Sequence, residues 1–303
     1  MPDAESLDSD KLRLLARLWL REPDADAERA RLAASQLGLP AIEPAELATA
    51  YADLFLLNVY PYGTVFTDAD GELNGPGAQA IASQYAANGY QPSELLEIGA
   101  PDHLGACLGF AAHLFDRQLD LADFKAAFLG WAPVCCLSVE REPTAHTFYQ
   151  ALAKLTREWL LAQATGSPHA PHSDDALLFE LLNSPDEEVR LRDLVRFFLA
   201  PARCGIFLSR GQLGCLALSL GQRLPFGSRF EVAEALFQVG GESGQIEPLI
   251  AALEAEINLW RMEYTRWAER YPHWQAAEMW LARTARAAHQ LSEMRKTVEA
   301  DVA

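Results

Sequence analysis

Apolar residues recur along the chain in the three- and four-residue steps of an α-helix, and no strict alternation runs long enough to compete as a strand. Leu104, Leu108, Ala111 and Phe115 form one such stripe, and Phe148, Leu152, Leu155, Trp159 and Ala162 form a second. Leu253, Ile257, Trp260, Tyr264 and Trp267 make a third, and Trp280, Thr284, Ala287, Leu291 and Met294 a fourth. A stripe of this kind has to be covered by another, so the spacing predicts packed helices. The last two stripes are separated by Tyr271-Pro272-His273, which breaks the helix and predicts an antiparallel hairpin. Start signals agree with the spacing. Ser184-Pro185-Asp186-Glu187 and Ser228-Arg229-Phe230-Glu231 read as capping boxes, and Asp102 reads as the N-cap of the helix opening at Leu104. The fold class is all-α, a helical bundle.

Breaks in the pattern divide the chain. Thr165 to Asp174, with Gly166, Pro168 and Pro171, reads as a linker, which predicts a helical domain over 1–165, a linker over 166–174 and a second helical domain over 175–303. Tyr60 to Gly77, rich in Gly, Pro, Asp and Asn, reads as a long loop, and Gly240 to Gly244 as a turn between helices.

Charge changes the picture more than composition does. Half of the 303 residues are hydrophobic, enough for a sizeable core, while 42 acids against 25 bases leave a net charge of −17. Nucleic acid and anionic membrane surfaces attract clustered Lys and Arg, so both are poor partners for this chain and a basic partner is favoured. The first 165 residues carry a net −12, and from Leu32 to Asp116 there are 10 acids without one Lys or Arg. The acidic start of the chain lacks the basic-then-apolar order of a secretory signal, and the apolar run Ala126–Val139 is short for a bilayer span. Cysteines 107, 135, 136, 204 and 215 build no disulfide framework, and the expectation is a cytoplasmic protein.

No phosphate-binding GxxxxGK[ST] loop, dinucleotide-binding GxGxxG or GxSxG elbow occurs in the sequence. His169 and His172 lack partner ligands nearby, and Asp68, Asp70 and Glu72 do not hold calcium-loop positions. Cys135-Cys136 reads as two buried thiols. The expectation is therefore no catalytic residue, no metal and no cofactor.

One constellation is more specific. Tyr51-Ala52-Asp53-Leu54-Phe55 lies on a helix and is followed by Tyr60-Pro61-Tyr62-Gly63; later come Glu97 and Pro101-Asp102-His103-Leu104, and then Phe128, Trp131, Pro143 and Thr147-Phe148-Tyr149. This order resembles the TorD/DmsD/NarJ-like chaperones, cytoplasmic maturation factors of molybdenum-cofactor reductases, over roughly residues 10–165. The resemblance implies an all-helical chaperone that binds the twin-arginine leader, or equivalent N-terminal segment, of one client subunit until its cofactor is inserted. It implies peptide-binding roles for Tyr51, Phe55, Tyr60, Tyr62, Pro101, Asp102 and His103. The chain departs from the family at Ala106-Cys107-Leu108, where members usually carry an acid, and in its longer C-terminal segment. A receptor for two guanidinium groups and an apolar stretch needs carboxylates beside apolar surface, which the 32–116 composition supplies. Two alternatives remain: a helical adaptor for a basic amphipathic peptide, and an enzyme using Asp102 and His103 as an acid–base pair. A homo-oligomer is a further possibility left open by the sequence.

Overall fold

Helices carry nearly the whole of the computed structural model, which describes residues 8–23, 27–41, 43–69, 71, 75–92, 99–120, 122–164 and 187–302. Among the described residues there is no strand, only an isolated antiparallel bridge between Tyr62 and His103. The chain separates into two compact units, one made of Met1–Asp68 and Glu72–His169, the other of Ala69–Gly71 and Ala170–Ala303. The predicted linker and the box at Ser184 lie outside the described residues, apart from Glu187.

In the first unit α1 (Ser9–Leu20) begins where Asp8 accepts the Lys11 N–H at 2.9 Å, and it buries Leu12, Leu15, Ala16, Leu18 and Trp19. Short helices α2 (Ala27–Gln36) and α3 (Pro44–Tyr51) follow, and α3 runs on into a π-helical turn, Ala52–Leu56. Next come α4 (Gly63–Thr67) and α5 (Pro76–Ala87). The stretch expected as a long loop, Tyr60 to Gly77, thus contains a helix; its N-terminal cap comes from Asp102, far away in sequence, so no local signal announces it.

Helix α6 (Leu104–Asp116) lies against α1 because Gly105 leaves room: a methyl group there would sit 2.8 Å from the Ala16 carbonyl oxygen. The expected stripe holds for Leu104 and Leu108 but fails at Phe115, which is 59% exposed. Burial extends around the helix to Ala106, Cys107, Phe110, Ala112 and Leu114, since Phe110 meets the rings of Tyr85, Tyr90 and Phe124 at centroid distances of 4.8, 5.3 and 4.8 Å. Helix α7 (Ala122–Glu140) is long and apolar enough to cross a membrane by length and composition, yet 72% of it is buried inside the unit, Cys135 and Cys136 included. It packs on α8 (Thr147–Ala162), whose Arg157 makes a two-pronged bond to Glu140 at 2.6 and 2.9 Å.

In the second unit α9 (Glu187–Leu199), α10 (Pro201–Cys204), α11 (Arg210–Ser219) and α12 (Arg229–Glu242) precede the two longest helices, α13 (Ile246–Arg270) and α14 (Ala276–Val302). The predicted hairpin is present and antiparallel: Arg295 near the end of α14 bonds Glu247 and Glu254 at the start of α13, and the Tyr264 and Trp280 rings lie 5.8 Å apart. All five residues of the α13 stripe are buried, and Trp280, Thr284, Ala287 and Leu291 meet them. The Ser228–Glu231 capping box is made, and so is one not foreseen, Ser209–Gln212. Gly240 and Gly241 are helical rather than a turn; the chain reverses only at Gly244, with φ +68. Gly205, at φ +76, is wedged so tightly that a methyl group would approach the Thr284 backbone nitrogen to 2.6 Å, and its carbonyl accepts from the Tyr264 hydroxyl at 2.8 Å.

Two substitutions gauge this unit. Trp260→Ala, at a fully buried seam position, is expected to cost about 3–5 kcal/mol of unfolding free energy. Gly205→Ala is expected to cost clearly more than Gly244→Ala, where positive φ is the same burden but the space is open. Urea unfolding monitored by tryptophan fluorescence measures both.

Candidate functional site

Two segments 40 residues apart in the sequence lie side by side as a short antiparallel clasp. The Gly63 N–H donates to the Asp102 carbonyl at 3.0 Å, and the Leu104 N–H donates to the Pro61 carbonyl at 2.7 Å. The Asp102 carboxylate then accepts the Thr64 N–H at 2.7 Å. This corrects the expected cap: Asp102 caps α4, not α6. The first turn of α6 is served by His103, whose Nδ1 accepts the Gly105 N–H at 3.0 Å. The reason is local geometry. With the 61–64 backbone running alongside, the carboxylate finds a free helical N–H there, and the imidazole takes the place it leaves.

The clasp is anchored from behind. The Tyr85 hydroxyl donates to the Pro101 carbonyl at 2.8 Å, and the Tyr62 and His103 rings meet edge to face at 5.0 Å. Gly63 rests on Trp131, whose ring a methyl group would approach to 2.9 Å. Asp102 is 1% exposed and His103 3%. Burial raises the Asp102 carboxyl above its usual value, and the bonds from Thr64 work against that rise. Burial alone pushes His103 down to about 3, so it is neutral at ordinary pH. Asp102 turns to Thr64 and His103 to Gly105, so the two neighbours serve different helices rather than one proton path.

The other expected site residues sit in an adjoining aromatic cluster. Phe55, 3% exposed, meets Trp19 at 5.3 Å, Tyr51 at 4.9 Å and Tyr149 at 5.4 Å. The Tyr51 hydroxyl donates to the Trp19 carbonyl at 3.1 Å and the Tyr149 hydroxyl to the Leu47 carbonyl at 3.1 Å. Tyr62 links cluster and clasp: its hydroxyl is near enough to Tyr51 to help burial raise that phenol, and near enough to Asp102 to be raised in turn. Tyr51, Tyr60, Tyr62 and Pro101 are partly exposed, whereas Phe55, Asp102 and His103 belong to the interior.

One residue was missed. Exposed Glu22, just beyond α1, lies close enough to Tyr51 and Tyr149 to raise both phenols. It places a solvent-facing carboxylate near partly exposed Tyr51, while Tyr149 is buried, and Asp102 cannot offer such a charge from inside. Glu22 precedes the base-free acidic stretch, and no spacing links it to Tyr51, so the sequence carried no signal for it.

Residues 22–132 match the family model described as the nitrate reductase delta subunit. The match falls almost wholly in the first unit and spans Glu22, both segments of the clasp and Trp131. The matched segment is less than half of the 303 residues, and over it the chain is similar to that family. No curated protein matches the chain.

The clasp predicts a pH signature. Because the folded-state carboxyl of Asp102 lies above its ordinary 3.8, the folded state holds the proton longer than the unfolded state, and ionisation weakens the fold as pH rises through that window. Asp102→Asn keeps an oxygen for the Thr64 N–H and removes the titration. The variant should therefore gain stability relative to wild type as pH rises above 3.8, as read from denaturant midpoints at each pH.

Proposed function

From the nitrate reductase delta subunit match we propose that this chain is a cytoplasmic, non-catalytic chaperone that binds the leader of a molybdenum-cofactor oxidoreductase subunit and holds it through cofactor insertion. The observation that carries the reading is the pair of partly exposed tyrosines, Tyr51 and Tyr62, that the clasp brings near each other, with the exposed Glu22 carboxylate near Tyr51. A leader arginine has its counter-ion there, and the apolar residues that follow have the tyrosine faces and the Pro101 and Tyr60 rim. Asp102 and His103 act through the clasp: they set the position of Tyr62 and Pro101 without touching the peptide. Twin-arginine leaders fit this chemistry because they place cations directly before an apolar run.

Isothermal titration of a synthetic twin-arginine leader tests the reading. Replacing both arginines with glutamine, or Glu22 with Gln, should each weaken binding by about tenfold or more, and combining them should add little. Rising salt should weaken the wild-type complex, since the charges are at the surface. Unchanged affinity for the glutamine peptide would sink the electrostatic part and leave the adaptor for apolar segments as the better account.

A further inference from the structure

The first unit presents a second acidic surface on the side of α3 and its π-helical turn that carries no site residue. Glu46 and Asp53, about two turns apart, are exposed there, and Leu56 and Leu57 stand open to solvent at 63% and 42%. Two solvated leucines beside two carboxylates make an apolar patch with a negative rim.

The second unit carries the complement. Between Asp193 and Glu231 there is no acidic residue in a chain of net charge −17; of the five arginines there, Arg196 pairs with Asp193 and Arg229 is taken up by the Leu199 and Leu208 carbonyls, while Arg210 and Arg223 border the ridge. The outward ridge of α11 runs Arg210, Gly214, Leu218, about 12 Å from end to end. Leu218 is 66% exposed, Cys215 is exposed, and a methyl group at Gly214 would meet nothing within 4 Å. Beyond the helix the chain returns through exposed Arg223 to Phe226, which is 92% exposed while its ring lies under Arg210 at 4.9 Å. Large aromatic rings are seldom left this bare, and here arginine holds the ring in place at the head of the ridge.

We propose that these two surfaces bind each other between copies of the chain: Phe226 and Leu218 of one copy receive Leu56 and Leu57 of the next, with Arg210 and Arg223 facing Glu46 and Asp53. The charge patterns are complementary, each patch has its own apolar centre, and neither face is covered within its unit. Such a contact joins unlike surfaces, so a joined pair still has one free face of each kind and can add further copies. The Glu22 surface is not used, and the inference does not rest on leader binding.

That geometry gives a test by mixing. Sedimentation velocity on the full chain at tens of micromolar should show species larger than a monomer that grow with concentration. A Phe226→Glu, Leu218→Glu variant loses the basic face, and an Asp53→Arg, Leu56→Arg variant loses the acidic one; each alone should sediment as a monomer. Mixed in equal amounts they should form a two-copy complex and stop there, because each supplies the face that the other lacks. Matching helical circular dichroism and melting of both variants to wild type establishes that they are folded. A wild type that stays monomeric, variants that associate as wild type does, or a mixture that stays monomeric would each overturn the proposal.

Discussion

The first unit turns on the hydrogen-bonded pairing of Pro61–Thr64 with Asp102–Leu104. Five backbone groups and one carboxylate do three jobs at once. They start α4, they orient the opening of α6, and they fix Tyr62 at the junction of an aromatic cluster and a buried Asp-His pair. The carboxylate is costly to bury, and it is tolerated because a helix N-terminus gives it a fixed N–H. Its role in any client interaction is accordingly indirect: what a peptide meets is the surface that the clasp positions.

This separation of position from contact explains where sequence reading succeeded. The helical stripes of α13 and α14 were fully legible, since Trp260, Tyr264 and Trp280 repeat at helical spacing and can only be covered by each other. The motif order around Tyr51, Tyr62 and Asp102 was legible too, and those segments do come together. Which residue faces outward was not. Asp102 looked like an exposed cap and is interior, because the group that it caps is supplied from 38 residues away. Helix α4 and exposed Glu22 escaped for the same reason, as both are defined by neighbours that only the tertiary fold brings near. The Ser209–Gln212 box, by contrast, was readable from spacing alone and was overlooked beside the apolar run before it.

The second unit is organised by a different constraint, the tight passage of Gly205 beneath α14. Its carbonyl is held by Tyr264, while the Arg229 guanidinium donates to the Leu199 and Leu208 carbonyls at 2.7 and 2.6 Å and stacks on Phe207 at 4.3 Å. One cation therefore satisfies backbone acceptors on both sides of the turn, where a lost bond would leave a buried carbonyl without a partner. The arrangement ties α10, α11 and the long hairpin into one body, and it lies outside the family match, so this body is built on its own terms.

The clasp also closes a ring of chain through hydrogen bonds. The two ends of the excursion from Thr64 to Asp102 are pinned to each other by backbone bonds, and α5 within it adds a second hold through the Tyr85 hydroxyl on the Pro101 carbonyl. The entropy of closing such a loop grows only logarithmically, so doubling its length adds about 0.6 kcal/mol. Relatives are thus free to lengthen or shorten the connections before and after α5 with little effect on the joint at the base. Variation in length should gather in those connections, while the residues that form the joint stay in register.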